Sequence, residues 1–272
     1  MIEERERLRA TFDTAARTYG DARPAYPDAL LERLVSNTRV TPRSRLLEVG
    51  CGPGTATVPL AERGLRITAV ELGASLAAVA RARLRPFPGV EVVRAAFESW
   101  PPADHGYDLL YAATAWHWVD PDVRYQRAHG VLRPGGFLAF WQAAHVIPVD
   151  GDPFFVEIQD VYDEIGEALP HHHVSPAPGE LPEEIEEVEA SGLFVVSEVT
   201  HFDWSVSYDA DSYLRLLDTF SGHIAMEPEK REHLYAEIRR RLARRPDGRL
   251  ERHWGATLHL ARAVHRPGSR LG

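Results

Sequence analysis

LLEVGCGPGTATVPLAERGLRITAVEL, residues 46–72, decides the architecture. The stretch opens on a short apolar run, Leu46–Val49, and breaks into glycines at Gly50, Gly52 and Gly54. A helix-forming segment, Thr55–Glu62, follows and stops at Gly64, a residue suited to the position just past a helix C-terminus. Pro59 is tolerated there because first-turn amides have no intrahelical partner. A second apolar run, Ile67–Val70, ends at Glu71. Strand, glycine turn, helix and strand in that order make a βαβ unit.

The pattern continues outward. Val90–Val93, Leu109–Ala113 and Phe137–Trp141 complete five candidate strands, and such continuous apolar runs suit parallel strands buried on both faces. Ser75–Leu84 is predicted helical, and RPGG at 133–136 is a turn before the fifth strand. Upstream, residues 1–20 and Asp28–Ser36 are predicted amphipathic helices; Leu30, Leu31, Leu34 and Val35 share one stripe of the second. Downstream, Phe154–Leu169 is predicted helical, HHHVSPAPGELP breaks it, and Glu183–Ala190 is a short acidic helix. Phe194–Trp204 and Gly255–Val264 have strand composition, with helices Tyr208–Phe220 and Pro228–Ala243 between them. The expected organisation is an N-terminal helical segment (1–40), a Rossmann-like α/β core (41–143), an acidic helical insertion (144–193), closing strands with a helical element at 208–245 (194–265), and a tail (266–272).

Composition narrows the function. The chain has 272 residues, 44% hydrophobic and 26% charged, enough for one large core or two small ones. No apolar run approaches the roughly 18 residues of a membrane span, so no membrane partner is expected. The N-terminal MIEERERLRA has no apolar core of a leader. The single cysteine, Cys51, rules out an internal disulfide, and a cytoplasmic location is expected. A net charge of −9 disfavours a nucleic-acid binder. That charge is uneven. Residues 134–214 hold 17 Asp and Glu and no Lys or Arg, which leaves 31 bases against 23 acids elsewhere. The acidic stretch 150–211 reads either as a soluble surface or as a cap whose field favours neutral or cationic ligands over polyanions.

The glycine loop points to a nucleoside. Glu71 stands 21 residues after Gly50, where a carboxylate can accept both ribose hydroxyls. Amides at the helix start are predicted to point at the same ligand. A dinucleotide loop expects G-x-G-x-x-G. Here the spacing is G-x-G-x-G, and Glu48 lies two residues before the first glycine. A carboxylate there repels a pyrophosphate but accepts an ammonium or neighbours a sulfonium, which favours a cationic amino-acid nucleoside.

This segment resembles motif I and the following acidic strand end of class I S-adenosylmethionine-dependent methyltransferases. YDLLYAATAWHWVDP (107–121) resembles the fourth-strand region of their small-molecule, type 11 branch. YGDARPAYP (19–27) resembles an N-terminal segment of the trans-aconitate methyltransferase-like members. The resemblance runs from Tyr19 to Trp141. It implies a Rossmann-like doubly wound α/β sheet of seven strands, mostly parallel with the last antiparallel, and a helical cap. It implies S-adenosylmethionine as cofactor, with Gly50, Gly52 and Gly54 around its methionyl and ribose portions. By the same resemblance Glu48 lies near the amino group, Glu71 on the ribose, Leu72 against the adenine, and Ala113 offers a carbonyl to the amino group. Tyr19 and Arg23 would reach the methionine carboxylate. The chain departs from the family at Ala96-Phe97, where many relatives carry an adenine-binding Asp; stacking by Phe97 and substitution by Glu98 are the expected replacements.

Other residues carry competing readings. Cys51 reads as packing. His117 either packs with Trp118 over the cofactor or serves as a base near the methyl donor. His145 follows the fifth strand, where substrates gather. Trp116, Trp118, Trp141, Phe154 and Phe155 suit either an aromatic pocket or the core. His171, His172 and His173 read as a solvated run, since adjacent residues cannot converge on one metal ion. RRRLARR (239–245) reads as a solvated helix face. The expected activity is methyl transfer to O, N or C of a small-molecule acceptor, a metabolite of secondary metabolism. The alternatives are non-methylating chemistry on the same cofactor, or its binding without catalysis.

Overall fold

The computed structural model describes residue 20 and residues 22–101, 106–168 and 175–264. The amphipathic segment predicted over 1–20 (all but Gly20), Tyr19, the His171–His173 run and the tail lie outside them. Two compact units divide the chain. The sheet unit holds Ala25–Ala143, Pro182–Phe202 and the chain from Ala256; the helical unit holds the chain up to Pro24, Ala144–Leu181 and Asp203–Gly255.

In the sheet unit, helix α1 (Asp28–Thr38) precedes strand β1 (Arg45–Val49). Helix α2 (Thr57–Glu62), strand β2 (Arg66–Glu71), helix α3 (Ala74–Leu84) and strand β3 (Val90–Arg94) follow. Next come strand β4 (Tyr107–Ala113), a 3-10 turn (Trp116–Trp118), helix α4 (Arg124–Val131) and strand β5 (Leu132–Trp141). Helix α7 (Ile185–Ala190) and parts of strands β7 (Phe194–Asp209) and β8 (Arg249–Ala263) complete it. The strand order is β3-β2-β1-β4-β5-β8, with β7 against β8. Pairs β1–β2, β1–β4, β2–β3 and β4–β5 are parallel, while β5–β8 is antiparallel, with Phe137 opposite Arg262 and Phe140 opposite His259. This is the expected Rossmann-like, mostly parallel sheet, with eight strands rather than seven once the short β6 (Ala143–His145) beside β8 is counted.

The apolar runs explain it. Leu46, Leu47 and Val49 are at most 3% exposed, and Leu109 to Ala112 not at all, so these strands are covered on both faces. Leu47, Leu110, Leu138 and Phe140 share one core with Trp116, Tyr125 and Phe194. Truncating one such leucine to alanine costs about 2–5 kcal/mol. The RPGG segment lies inside β5 rather than before it; Gly135 takes φ +71° and the β4–β5 register shifts between Tyr107 and Leu109.

In the helical unit, strand β6 (Ala143–His145) pairs with β8. The helices are α5 (Phe154–Glu157), α6 (Gln159–Glu164), α8 (Ala210–Leu217), α9 (Ser221–Ala225) and α10 (Pro228–Leu242). The helix predicted over 154–169 is broken at Ile158, which divides α5 from α6. Asp209 caps α8 by accepting from the Ser212 amide at 2.7 Å, and Pro228 takes the first position of α10.

This unit also resolves the charge asymmetry. Arg245 grips Asp152 at 2.6 and 2.8 Å, and Arg241 grips Asp160 with 2.8 Å to each oxygen. Lys230 meets Glu167 at 3.0 Å, Arg239 meets Asp211 at 3.3 Å, and Arg249 lies 3.8 Å from Asp209. Arg239, Arg241 and Arg245 of RRRLARR thus meet acids of the 150–211 stretch, while Arg239, Arg240 and Arg244 stay exposed, as a solvated helix face requires.

Candidate functional site

Strand order reverses between β1 and β4, the position where open α/β sheets bind ligands beyond the carboxyl ends of their strands. The two loops that leave those strands meet there. Gly50 takes φ +68°, and a Cβ built on it would come within 2.6 Å of Ala115 Cβ. Gly52 (φ +55°) faces open space, and Gly54 (φ +90°) packs near Leu84. All three conformations favour glycine.

Glu71 binds the loop together. Its Oε2 accepts from the Gly52 amide at 2.8 Å and its Oε1 from the Gly73 amide at 2.7 Å. The Gly50 and Cys51 amides donate to the Val70 carbonyl at 2.8 and 3.3 Å, and the Gly54 amide to the Cys51 carbonyl at 2.9 Å. The loop amides of Gly50, Cys51, Gly52 and Gly54 are thus engaged within the protein, and α2 begins at Thr57.

Glu48 is 1% exposed. Its Oε2 accepts from Thr57 Oγ1 at 2.6 Å and from Tyr111 Oη at 2.8 Å, while Oε1 is buried with no hydrogen-bond partner. Burial pushes its pKa up to about 7, against the two hydroxyl donors that favour the anion. An acceptor oxygen left open in this way fits an ammonium donor. Loop shape, Glu48 and Glu71 together fit an amino-acid nucleoside and oppose a pyrophosphate.

The remaining predicted residues divide. Leu72, 41% exposed, presents an apolar surface beside Glu71. Ala113 ends β4 opposite Trp141. Ala96 accepts the Ser99 and Trp100 amides in a turn after β3. The Phe97 ring, 2% exposed, is packed in the core with Arg127 above it, so stacking on an adenine is not its role. Glu98 accepts from the Asp120 amide at 3.3 Å. Arg23 belongs to the helical unit, where its guanidinium donates to Thr219 Oγ1 (2.8 Å) and carbonyl (3.1 Å) and lies over Phe220. Cys51 is 4% exposed and burial pushes its thiol well above its ordinary range, as a packing residue. Trp116, Trp141, Phe154 and Phe155 are core residues, each at most 8% exposed.

The two histidines lie in different units. His117 sits in the 3-10 turn with its ring 4.9 Å from that of Trp118. The residue is exposed at its edge, yet desolvation by the packed protein, then Arg124, lowers its pKa to about 4. Its exposed edge weakens that shift but leaves its direction, a neutral ring at pH 7. His145, in the helical unit, packs 4.4 Å from Phe155. Burial, Arg252 and His253 lower its pKa to about 3.

Sequence reasoning passed over three supports. Thr114, directly after β4, holds φ +55°. Its hydroxyl pairs with Tyr26 Oη at 2.9 Å and accepts from the Ala143 amide at 3.2 Å. Arg124 donates to the Trp116 carbonyl at 3.2 Å and pairs with Glu187, fixing the turn that carries His117. A non-glycine residue at positive φ is strained and persists only where its surroundings hold it, as the Tyr26 and Ala143 contacts do here. Among the described residues no three His, Cys, Asp or Glu side chains are grouped to hold a metal, and no helix is long and apolar enough to cross a membrane.

Residues 47–140 match the family model of the methyltransferase domain. In sequence and fold the chain is similar to class I S-adenosylmethionine-dependent methyltransferases. A methyltransferase of uncharacterised activity from Mycobacterium tuberculosis is 32% identical over 165 residues, 56% of this chain and 65% of that protein. Trans-aconitate 2-methyltransferase of Paracidovorax citrulli is 36% identical over 110 residues, 39% of this chain and 41% of the enzyme. The structure of a candidate type II methyltransferase from Anaeromyxobacter dehalogenans superposes with a TM-score of 0.64 at 27% identity, covering 90% of this chain and 99% of that one. The chain thus spans under two thirds of the length of these two sequence relatives.

Proposed function

We propose that this protein is an S-adenosylmethionine-dependent methyltransferase acting on O, N or C of a small metabolite in the cytoplasm, as in secondary metabolism. The supporting observation is the clasp at Gly52, Glu71 and Gly73. It holds the Glu71 carboxylate rigidly beside the glycine loop, which supports a role for it on the ribose of a sulfonium nucleoside. Glu71 would accept the ribose hydroxyls, Glu48 Oε1 the ammonium, Leu72 would cover the adenine, and Gly50, Gly52 and Gly54 would let the ligand approach the backbone. Tyr19 and Arg23 are assigned to the methionine carboxylate by resemblance.

When bound, S-adenosylmethionine supplies an activated methyl group, so alignment of the acceptor provides most of the acceleration. The chain's own contribution is therefore to position and to exclude water. A neutral His117 can take a proton from a hydroxyl or ammonium acceptor, and His145 is the second residue assigned that part. The preference for neutral or cationic acceptors inferred from composition is weakened in the helical unit, where Asp152, Asp160, Glu167, Asp209 and Asp211 have basic partners. Calorimetric titration with S-adenosylhomocysteine tests the reading; absence of uptake by the intact protein overturns it.

A further inference from the structure

The helical unit contains a buried cation with no anion. Arg252, on β8, is 7% exposed. No carboxylate pairs with it among the described residues; its contacts are Tyr213 Oη, a long 3.5 Å from NH1, and three aromatic rings. Its guanidinium carbon lies 4.7 Å from the centre of Trp254, 5.4 Å from Phe220 and 5.7 Å from Phe155. The Nε donor is buried with no hydrogen-bond partner. Every other arginine of this unit that is ion-paired has an acid from the 150–211 stretch or from its own helix.

The neighbours do not compensate it. Arg23 adds a second positive field, and Tyr208 and Tyr213 are neutral phenols. His145 and His223 both feel Arg252, and burial together with that charge holds them neutral, at about 3 and about 4. Tyr162 hydrogen bonds His223 Nε2 at 2.9 Å. Among the residues around the buried guanidinium, His145, Tyr162, Phe220 and His223 are only half-buried. Desolvating a cation without a partner is expensive. An unsatisfied buried polar group in a native protein calls for an explanation, and a bound anion is one.

We propose that the helical unit binds an organic monocarboxylate, with the carboxylate on the guanidinium of Arg252 and an apolar body against Phe155, Phe220 and Trp254. A single fork-shaped cation matches one planar two-oxygen anion, and the aromatic rings match an apolar remainder. That this anion is the methyl acceptor rests on the function proposed above; the binding site itself does not.

Trp254, beside Arg252 and stacked 6.4 Å from Trp204, reports on occupancy. The test titrates the full-length protein with acetate, benzoate and phenylacetate, each against its neutral amide, following tryptophan fluorescence. At least one carboxylate is expected to bind saturably and at least about tenfold tighter than its amide. Arg252→Met should lose that preference while melting no lower than the parent, because it removes an uncompensated buried charge. If no carboxylate is preferred over its amide, or if Arg252→Met binds as the parent does, the proposal is overturned. Should the variant melt lower, the carboxylate–amide comparison on the parent decides alone. Uptake of S-adenosylhomocysteine, measured separately, tests the transfer reading. Carboxylate binding without nucleoside uptake would leave the site standing and remove only its role as acceptor site.

Discussion

Replacing Glu71 by glutamine probes the cradle with a change of one atom. Glu71 is 7% exposed, and its two oxygens each accept one amide, from Gly52 at 2.8 Å and Gly73 at 2.7 Å. In glutamine one oxygen becomes an NH2 facing a backbone N–H, and the other loses its charge. A charge-assisted hydrogen bond contributes about 1.5–3 kcal/mol, so losing one and weakening its twin should cost about 2–3 kcal/mol. At about 2–4 °C per kcal/mol for a chain of this size, the melting temperature should fall by about 5–10 °C. The same substitution turns the carboxylate proposed for the ribose into a mixed donor–acceptor. S-adenosylhomocysteine should then bind about 10- to 100-fold more weakly by calorimetry. A variant that melts within about 1 °C of the parent, with unchanged affinity, would refute both the clasp and the ribose role.

Glutamine at Glu48 should alter the pH dependence of stability. The folded group titrates near 7 against an ordinary 4.5. Between those values the folded state binds the proton and the unfolded state does not, so Glu48 makes stability fall as pH rises from about 4.5 to about 7, by up to about 3 kcal/mol. Denaturant titrations should show this slope in the parent and its loss in Glu48→Gln; parallel curves would exclude it. Alanine at Gly50 would bring its Cβ to 2.6 Å from Ala115 Cβ, whereas at Gly52 it meets nothing within 4 Å. Gly50→Ala should therefore destabilise by about 1–3 kcal/mol, and Gly52→Ala by about 1 kcal/mol, yet both should block nucleoside uptake. Full uptake by Gly52→Ala would mean that the open space is not the ligand's. Alanine at His117 should slow turnover about 10²- to 10⁴-fold if the ring is the base, and the parent's rate should be flat across pH 6–8 because that ring is already neutral. Unchanged turnover would remove His117 from the chemistry, and the same comparison applies to His145.

The parallel strands and the ligand loop were legible because each is written in contiguous residues. Apolar runs at Leu46–Val49 and Leu109–Ala113 have no other use than burial on both faces, and three glycines two apart with an acid 21 residues later leave few geometries. What escaped was non-local. Arg245 and Asp152 are 93 positions apart, and Arg241 and Asp160 are 81 apart, so a charge tally could not show that they cancel. Arg252 sits in RLERHWG, a polar run that gives no hint of a buried cation. Phe97 was misassigned because an aromatic beside an adenine position reads equally as a stacking ring or a core residue, and only the packing with Arg127 separates them. The reach of β7 to Asp209 was missed because alternating exposure on a half-covered strand leaves many polar residues in its sequence.

The clasp at Glu71 exists in the protein on its own, and this sets the kinetics of capture. A recognition loop already held by its own carboxylate surrenders little chain entropy when a nucleoside arrives. Encounter, not loop ordering, should then govern how fast the ligand is taken up. The Gly52 and Gly73 amides should exchange with deuterium slowly even in ligand-free protein, as groups committed beforehand rather than recruited on arrival.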